Sequence, residues 1–357
     1  MARGTLRAGQ VERELVRQSH SGLDLAGVRE VALGSLRRLM SVDAAFFATA
    51  DPDTLLFTGA YAEEPLAAAQ ALFLDNEFSG GDVNQFAALA SATSHVADLD
   101  EATRGERRSS PRYRDIMAPI GLGDELRAAL VTGGLCWGYL CLHRTDGPLG
   151  FTPAEAALLA RLAPHMAHAL RHAALIRDAP AAPETGGPGV VLLEADSTVA
   201  ALTGPAEQLL SLVRDGRADP SRLPAAVYAV AAALDSTERG ARTAELPPSA
   251  RVPTSDGGWL KLHASRLHGD GAGDRTAVIV ERASAAETVP LALAAYGLTP
   301  REAEVARLVL RGTSTRTIAN ALRISAHTVQ DHLKMVFDKT GARSRGDLVG
   351  QLLGQHN

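Results

Sequence analysis

Residues 298–348 decide the fold of the C-terminal end, and they read LTPREAEVARLVLRGTSTRTIANALRISAHTVQDHLKMVFDKTGARSRGDL. The stretch divides into short segments of helical apolar periodicity, separated by polar turns. Thr299 and Pro300 are typical of a helix start, because threonine caps free amides and proline fits the first helical position. Gly312 ends this first helix and Ser314 opens a second one.

The turn at residues 323–325 leads into a third helix, which we expect from about Ala326 to Lys339 with Ser325 as its N-cap. Val329 and Leu333 of this helix face inward. Two short helices joined by a tight turn form a helix-turn-helix, whose second helix can lie in a DNA major groove. This pattern predicts a small all-α module that binds DNA.

The same residues resemble the LuxR/FixJ type of helix-turn-helix. The positions that carry the resemblance are Leu298, Thr299, Pro300, Arg301, Glu302, Val305, Gly312, Ile318, Ala319, Leu322, Ser325, Thr328, Val329, His332, Lys339, Gly341 and Arg345. Thr317 departs from the glutamate that is usual in the family, and Thr340 from the usual leucine. Because threonine cannot complete a capping box with Ser314, we expect the second helix to begin less firmly.

The outward positions of the third helix are the expected base readers. They are His327, Gln330, Asp331 and Lys334. Lysine can donate to guanine O6 or N7, glutamine suits adenine, and aspartate can accept from cytosine N4. The residues expected to hold the DNA backbone or shape the turn are Thr315, Arg316, Ser325, Thr328, His332, Lys339, Arg343 and Arg345. The resemblance implies a fourth helix that pairs two modules through Leu348, Val349, Leu352 and Leu353.

Charge favours this interpretation. From residue 298 to the end, nine basic and five acidic residues give +4, so the other 297 residues carry −9 of the formal net charge of −5. A basic module on an acidic body concentrates the attraction for phosphate at one end. The alternative is a three-helix packing module that happens to be basic.

Length and composition describe the whole chain. A chain of 357 residues is long enough for two or three domains with ample core. We find neither a leader-like N-terminus nor an apolar run long enough to span a bilayer, so the expected location is cytoplasmic. Phosphate-binding loops, zinc-protease motifs, paired Cys-x-x-Cys motifs and nucleophile elbows do not occur in the sequence, which predicts that the protein is not an enzyme.

Residues 23–178 follow the order helix, hairpin, helices, hairpin, helix. This region resembles the GAF half of actinomycete-type LuxR regulators, at residues 51–55, 110–115, 121–127 and 136–138. The resemblance implies an antiparallel sheet with helices and a sensory role. Cys136 and Cys141 lie five apart on one strand, so we expect them on opposite faces as separate core thiols.

The helix that closes this region carries an a/d seam that includes Leu159, Leu162 and Met166. Such a seam predicts either a parallel dimer contact or packing on the helix's own sheet, and the sequence leaves both open. His165, His168 and His172 share the same helix, and we expect them at the surface rather than around a metal.

Composition places the boundaries of the remaining segments. Residues 1–22 form an N-terminal helical segment, and the Pro- and Gly-rich residues 179–189 form a linker. Residues 190–283 resemble a PAS domain in their succession of hairpin, short helices and antiparallel strands. Residues 284–296 are expected to be a second linker, before the helix-turn-helix domain at 297–357.

Taken together, the sequence predicts a multidomain α+β protein: a GAF-like antiparallel sheet with helices, a PAS-like α+β domain and a C-terminal all-α LuxR-type module of four helices. The expected function is DNA-binding transcription regulation under the control of the sensor domains. The expected partners are double-stranded DNA, a second copy of the chain and RNA polymerase, with no membrane. No cofactor is evident, and an unidentified small ligand of the GAF-like or PAS-like domain is left open. The alternatives are a sensory or scaffold protein whose helix-turn-helix contacts proteins, and a ligand-processing enzyme tethered to DNA.

Overall fold

The computed structural model describes residues 2–145, 147, 150–176, 187–213, 222–241, 247–268 and 274–353. Within these residues the N-terminal half contains α1 (Ala2–Ser19), α2 (Leu25–Leu39), β1 (Ala44–Ala50), β2 (Phe57–Ala62), α3 (Gln70–Ser79), α4 (Phe86–Ser91), β3 (Val96–Asp98), α5 (Leu99–Thr103), β4 (Leu122–Thr132), β5 (Leu135–Thr145) and α6 (Pro153–Ala173). The C-terminal half contains β6 (Gly189–Leu193), β7 (Val199–Leu202), α7 (Gly204–Ser211), α8 (Ala225–Glu238), β8 (Ser249–Pro253), β9 (Trp259–Arg266), β10 (Thr276–Arg282), α9 (Ala285–Ala295), α10 (Pro300–Leu310), α11 (Thr315–Leu322), α12 (Ala326–Thr340) and α13 (Arg345–Leu353).

The first sheet is antiparallel, with strand order β2-β1-β5-β4-β3. Its central strands are buried on both faces because helices cover both faces: α1, α2 and α6 pack on one side, and α3 and α4 pack on the other. In β1, for example, Ala45 and Phe47 join the first core while Phe46 and Ala48 join the second. The predicted antiparallel sheet with helices is confirmed.

A β-bulge in β5 corrects the expectation for the two cysteines. Leu130 pairs with Gly138 and Val131 pairs with Cys136, so Trp137 is the extra residue of the bulge. One inserted residue reverses the alternation of faces. Cys136 and Cys141 therefore bury on the same face of the sheet, and both are free thiols as predicted.

The apolar seam of α6 is buried within its own chain. Leu159, Leu162 and Met166 are 0–3% exposed and pack with the sheet and with α1 and α2. A side chain without exposed surface cannot reach a second subunit, so the dimer contact predicted for these three residues is wrong. Of the two alternatives that the sequence left open, packing on the helix's own sheet is the correct one.

A second antiparallel sheet, with strand order β7-β6-β10-β9-β8, buries one face against α7 and α8. The alternating pattern of β9 buries Leu260, Leu262 and Ala264 and leaves Lys261 and His263 partly exposed. The opening hairpin β6–β7 is also present. The PAS-like assignment and the domain boundaries stay predictions, and the linker at 179–189 falls mostly outside the described residues.

The two sheets are joined by a buried ion pair. The Arg251 backbone and Nε donate to Asp51 Oδ2 at 2.8 and 2.9 Å, and its Nη1 donates to the carbonyl of Glu287 at 2.9 Å. Asp51 is 1% exposed, so this carboxylate depends on the arginine for its charge balance. Burial opposes the charge of Arg251, but its bonds to Asp51 raise the pKa of the guanidinium.

The segment predicted as a linker at 284–296 is instead the helix α9. Ser284 and Glu287 form a complete capping box at its start. Leu291 and Ala295 pack into the core of the first sheet, while Leu293 packs into the core of the C-terminal module. This helix therefore connects the two cores rather than separating them.

Candidate nucleic-acid interface

Helices α10 to α13 form one small module around a shared apolar core. The core residues of these helices that are at most 3% exposed are Val305, Ala306, Val309, Ile318, Val329, Leu333, Val336, Leu348 and Leu352. Each is an inward position of its helix, so the helical periodicity of the sequence predicts most of this core. Leu348 and Leu352 were predicted as dimer contacts. The structure buries both inside the module, which corrects that prediction, whereas Val349 and Leu353 are partly exposed.

Local capping explains where these helices begin. Thr299 and Glu302 form a full capping box, with the Thr299 amide 2.7 Å from the Glu302 carboxylate. Ser314 caps α11 by accepting from the Thr317 amide at 3.2 Å, and the Thr317 hydroxyl meets the Ser314 hydroxyl at 2.8 Å. Because Thr317 has no carboxylate, the Ser314 amide lacks the partner that a full capping box would supply, as expected from the sequence.

The turn between α11 and α12 is tight. Arg323 adopts a left-handed conformation with φ of 53°, and the Ile324 amide donates to the carbonyl of Ala319 at 3.0 Å. Ser325 then caps α12 by accepting from the Thr328 amide at 3.0 Å. The predicted helix-turn-helix is confirmed in its helices, its turn and its caps.

The outward face of α12 is open to solvent. All four predicted base readers are exposed, and they are His327, Gln330, Asp331 and Lys334. His327 and Asp331 are one turn apart, with 3.9 Å between Nε2 and Oδ2. Their side chains are 89% and 64% exposed, so this pair imposes little order on the face.

Met335 is an exposed apolar residue on α12 that the sequence reasoning missed. It is 44% exposed and lies next to Lys334. The helical spacing could have revealed that Met335 is exposed, because Leu333 and Val336 already fill the inward positions on either side of it. An exposed methionine beside polar readers is suited to contact with a thymine methyl group.

The predicted backbone residues fall into two groups. Arg316, Ser325 and Arg343 are exposed, and Thr315, Thr328 and His332 are partly exposed. Lys339 and Arg345 are instead bonded within the module. Arg345 donates to the carbonyl of Thr313 at 2.9 Å and to the Thr315 hydroxyl at 2.7 Å, so it fixes the loop before α11.

Lys339 holds the start of α10. Its Nζ donates to Glu302 at 2.7 Å and to the carbonyl of Gly297 at 3.1 Å. Burial opposes the charge of Glu302, but the bonds from Lys339 and from the Thr299 amide lower its pKa below the usual range. Both long side chains thus position the module, which the sequence alone could not distinguish from phosphate binding.

Two histidines of α6, His165 and His168, contact His20 or Arg171, and Arg171 lies beside the start of the module. His20, which follows α1, stacks on His168 with ring centroids 4.1 Å apart, and its Nε2 is 3.3 Å from His165 Nδ1. Arg171 donates to His168 Nδ1 at 3.0 Å. A Cβ on Gly297, which precedes α10, would lie 2.9 Å from the same guanidinium. His165 and His168 are partly exposed and His172 is exposed, which agrees with the surface position expected for them.

Two family models match this chain. Residues 297–351 match the model described as bacterial regulatory proteins, luxR family, and residues 24–170 match the GAF domain. Both matches agree with the resemblances drawn from the sequence. Two short helices joined by a tight turn, with the second helix exposed on a packed core, define the module as a helix-turn-helix.

Relatives and solved structures add detail. The spore germination protein GerE of Bacillus subtilis is 39% identical over 56 residues, which are 16% of this chain and 76% of that protein. An HTH-type transcriptional regulator of Mycobacterium tuberculosis is 48% identical over 54 residues, which are 15% of this chain and 6% of that protein. The crystal structure of Escherichia coli SdiA has a TM-score of 0.35 and 11% identity, covering 96% of this chain and 97% of that one.

The match to GerE settles the family. The chain belongs to the luxR family of bacterial regulatory proteins, with the family's helix-turn-helix at its C-terminal end and a GAF domain in its N-terminal half. It spans only about 6% of the length of the mycobacterial regulators that it matches. None of the helices in the described part of the chain combines the length and the apolar character of a membrane span.

Proposed function

We propose that this protein is a transcription regulator that reads duplex DNA with α12 in the major groove. The observation that carries the proposal is the solvent-exposed polar face of α12 on a rigid, fully packed core. Lys334 donates to guanine, Gln330 to adenine N7 while accepting from N6, and Asp331 accepts from cytosine N4. His327 and Met335 complete the contact surface, with Met335 against a thymine methyl group.

Arg316, Arg343, Ser325 and Thr328 hold the DNA backbone in this proposal. The hydroxyls lie at the N-terminus of α12, where free amides and the helix dipole favour phosphate. Thr315 and His332 are further backbone contacts in this proposal. Lys339 and Arg345 act indirectly, because their bonds within the module keep α10 and α11 in register with α12.

A homodimer is part of the proposal, since one short helix reads few base pairs and two half-sites about one helical turn apart supply the remaining specificity. Val349 and Leu353 of α13 are partly exposed and offer the contact. The GAF domain and the second sheet would bias the geometry of this dimer through a bound small ligand or a partner protein. RNA polymerase is the expected downstream partner. Native mass spectrometry of the full chain would report subunit number and any retained ligand together.

Selection of binding sites from a random duplex library tests base reading. We expect wild-type protein to enrich a defined half-site, and Lys334→Ala to lose about 1–3 kcal/mol on that site and to relax one base position. Lys261→Ala is the matched control, because it removes the same charge from β9, outside the module, where Lys261 pairs with Glu287 at 2.6 Å. Enrichment that is unchanged by Lys334→Ala would refute its role as a base reader.

The second candidate function is a sensory or scaffold protein whose module contacts protein only. The exposed Met335 on α12 favours this candidate, because an exposed apolar side chain also suits contact with another protein. Failure of the full chain to bind any duplex at low salt would select this alternative, because phosphate attraction is then at its strongest.

A further inference from the structure

A group of fully buried ionisable side chains lies on one face of the first sheet, away from the DNA-binding module. Glu125 of β4 pairs directly with His143 of β5, and Arg127 pairs with Cys141 two residues along each strand. Alternate residues of a strand point the same way, so these four side chains form one compact square. All four are at most 1% exposed.

We propose that Glu125, Cys141 and His143 form a binding site for a divalent transition-metal ion of the zinc class. One donor atom from each residue lies within 4.8 Å of the other two. The Cys141 sulfur is 2.9 Å from Glu125 Oε1, and His143 Nε2 is 3.9 Å from the same oxygen. Imidazole nitrogen, thiolate sulfur and carboxylate oxygen are the three donor types that zinc takes in proteins.

The histidine supplies the independent observation. Neither ring nitrogen of His143 has a hydrogen-bond partner among the described residues, although the side chain is 0% exposed. Buried polar atoms are almost always paired, and an orphaned one calls for a missing partner. A metal ion on one ring nitrogen would supply that partner directly.

Charge balance points to a divalent cation. The buried network contains the carboxylates of Glu77, Asp82 and Glu125 and the guanidinium groups of Arg112 and Arg127, with every side chain at most 3% exposed. Three acids against two bases leave one negative charge uncompensated. When a divalent ion binds, the Cys141 thiol loses its proton to solvent, so the thiolate and the metal together bring the network to neutrality.

Arg127 is compatible with this site. It donates from Nη1 to Glu77 at 2.7 Å, and its guanidinium stands 4.2 Å from the ring centroid of Phe86. Its Nε lies 3.1 Å from Glu125 Oε1, and its Nη2 has no hydrogen-bond partner in the described part of the chain. A thiolate at the facing Cys141 would add a negative charge beside this guanidinium.

Cobalt substitution tests the site in the full chain, because a thiolate bound to Co²⁺ gives a near-ultraviolet charge-transfer band and tetrahedral Co²⁺ gives visible bands. We expect chelator-treated wild-type protein to bind one Co²⁺ with the sulfur band, and Zn²⁺ to displace it. Cys141→Ser should abolish the band, and His143→Gln should weaken affinity more than about 100-fold. Cys136→Ser is the matched control, since it removes the other buried thiol of the same strand and core and should leave the band intact.

Three outcomes would overturn the proposal. They are the absence of stoichiometric metal on folded wild-type protein, a sulfur band that survives Cys141→Ser, and a band that only Cys136→Ser removes. Binding at His20 and the histidines of α6 would show no sulfur band and also counts against the site. If Cys141→Ser does not fold, X-ray absorption of zinc-loaded wild-type protein replaces it. One sulfur among the nitrogen and oxygen neighbours of the zinc supports the site, and a zinc shell without sulfur refutes it. These measurements do not involve DNA, so they stand apart from the proposed function.

Discussion

Replacing Lys339 with methionine should loosen the start of α10, because the lysine is bonded inside the module. The substitution removes two charge-assisted hydrogen bonds, to Glu302 at 2.7 Å and to the Gly297 carbonyl at 3.1 Å. It also leaves the Glu302 side chain, 7% exposed, without its cation. The Thr299 amide still bonds this carboxylate, so the loss should be about 2 kcal/mol rather than the larger cost of a fully orphaned charge.

Amide hydrogen exchange of the full chain measures this loss locally. Two kcal/mol corresponds to about 30-fold faster exchange in the first turn of α10, where the Ala303 amide bonds the Thr299 carbonyl. Lys334→Met is the matched control, because Lys334 is an exposed lysine of the same helix and should leave exchange unchanged. Unchanged exchange in Lys339→Met, combined with a uniform loss of affinity for every duplex, would refute this reasoning and restore the phosphate contact predicted from the sequence.

The pH dependence of this effect has a definite sign. The folded pKa of Glu302 is lowered, so the ion pair's contribution is present above the ordinary carboxyl range and is lost as pH falls through the folded value. The difference in exchange between wild type and Lys339→Met, corrected for the intrinsic rate, should therefore shrink as pH falls below about 4.

Three further predictions follow from contacts elsewhere. Arg251→Ala should cost about 3–5 kcal/mol of unfolding free energy by stranding the buried Asp51 carboxylate, measured by urea titration of tryptophan fluorescence; a loss below 1 kcal/mol would show that the pair contributes little. Burial lowers the pKa of His168 to about 4, so the docking of α1 should weaken as pH falls from about 6.5 toward 4, measured by proteolysis of α1; resistance that is constant across this range would contradict it. Thr317→Glu should stabilise α11 by about 0.5–1 kcal/mol by completing the capping box with Ser314, measured by exchange of its first turn; no slowing would rule this out.

The helix-turn-helix could be predicted from the sequence because its signals are local. Thr299, Ser314 and Ser325 each cap a helix whose apolar residues repeat at helical spacing. Capping and periodicity can be read from neighbouring residues, without knowing which distant parts of the chain pack against them. The capping box of Ser284 and Glu287 is a signal of the same kind, and it could have identified α9 in the segment predicted as a linker.

Other features could not be predicted because they depend on tertiary contacts. An a/d seam can pack equally well against a partner helix or against a sheet, so the sequence could not decide where Leu159 packs. A long cationic side chain can reach either a phosphate or a neighbouring carboxylate, so the sequence could not decide between these two roles for Lys339. The bulge at Trp137 reverses the faces of β5, and its local signal is a glycine at position 138, which also occurs in strands without a bulge.

The salt dependence of duplex affinity tests the central claim most directly. If α12 reads the major groove while Arg316 and Arg343 hold the backbone, the logarithm of the affinity should fall linearly with the logarithm of salt concentration. Each phosphate contact should contribute a slope of about −0.9, and Arg343→Ala should remove about one such contact. Affinity that is independent of salt, or no measurable binding to any duplex at low salt, would contradict the account.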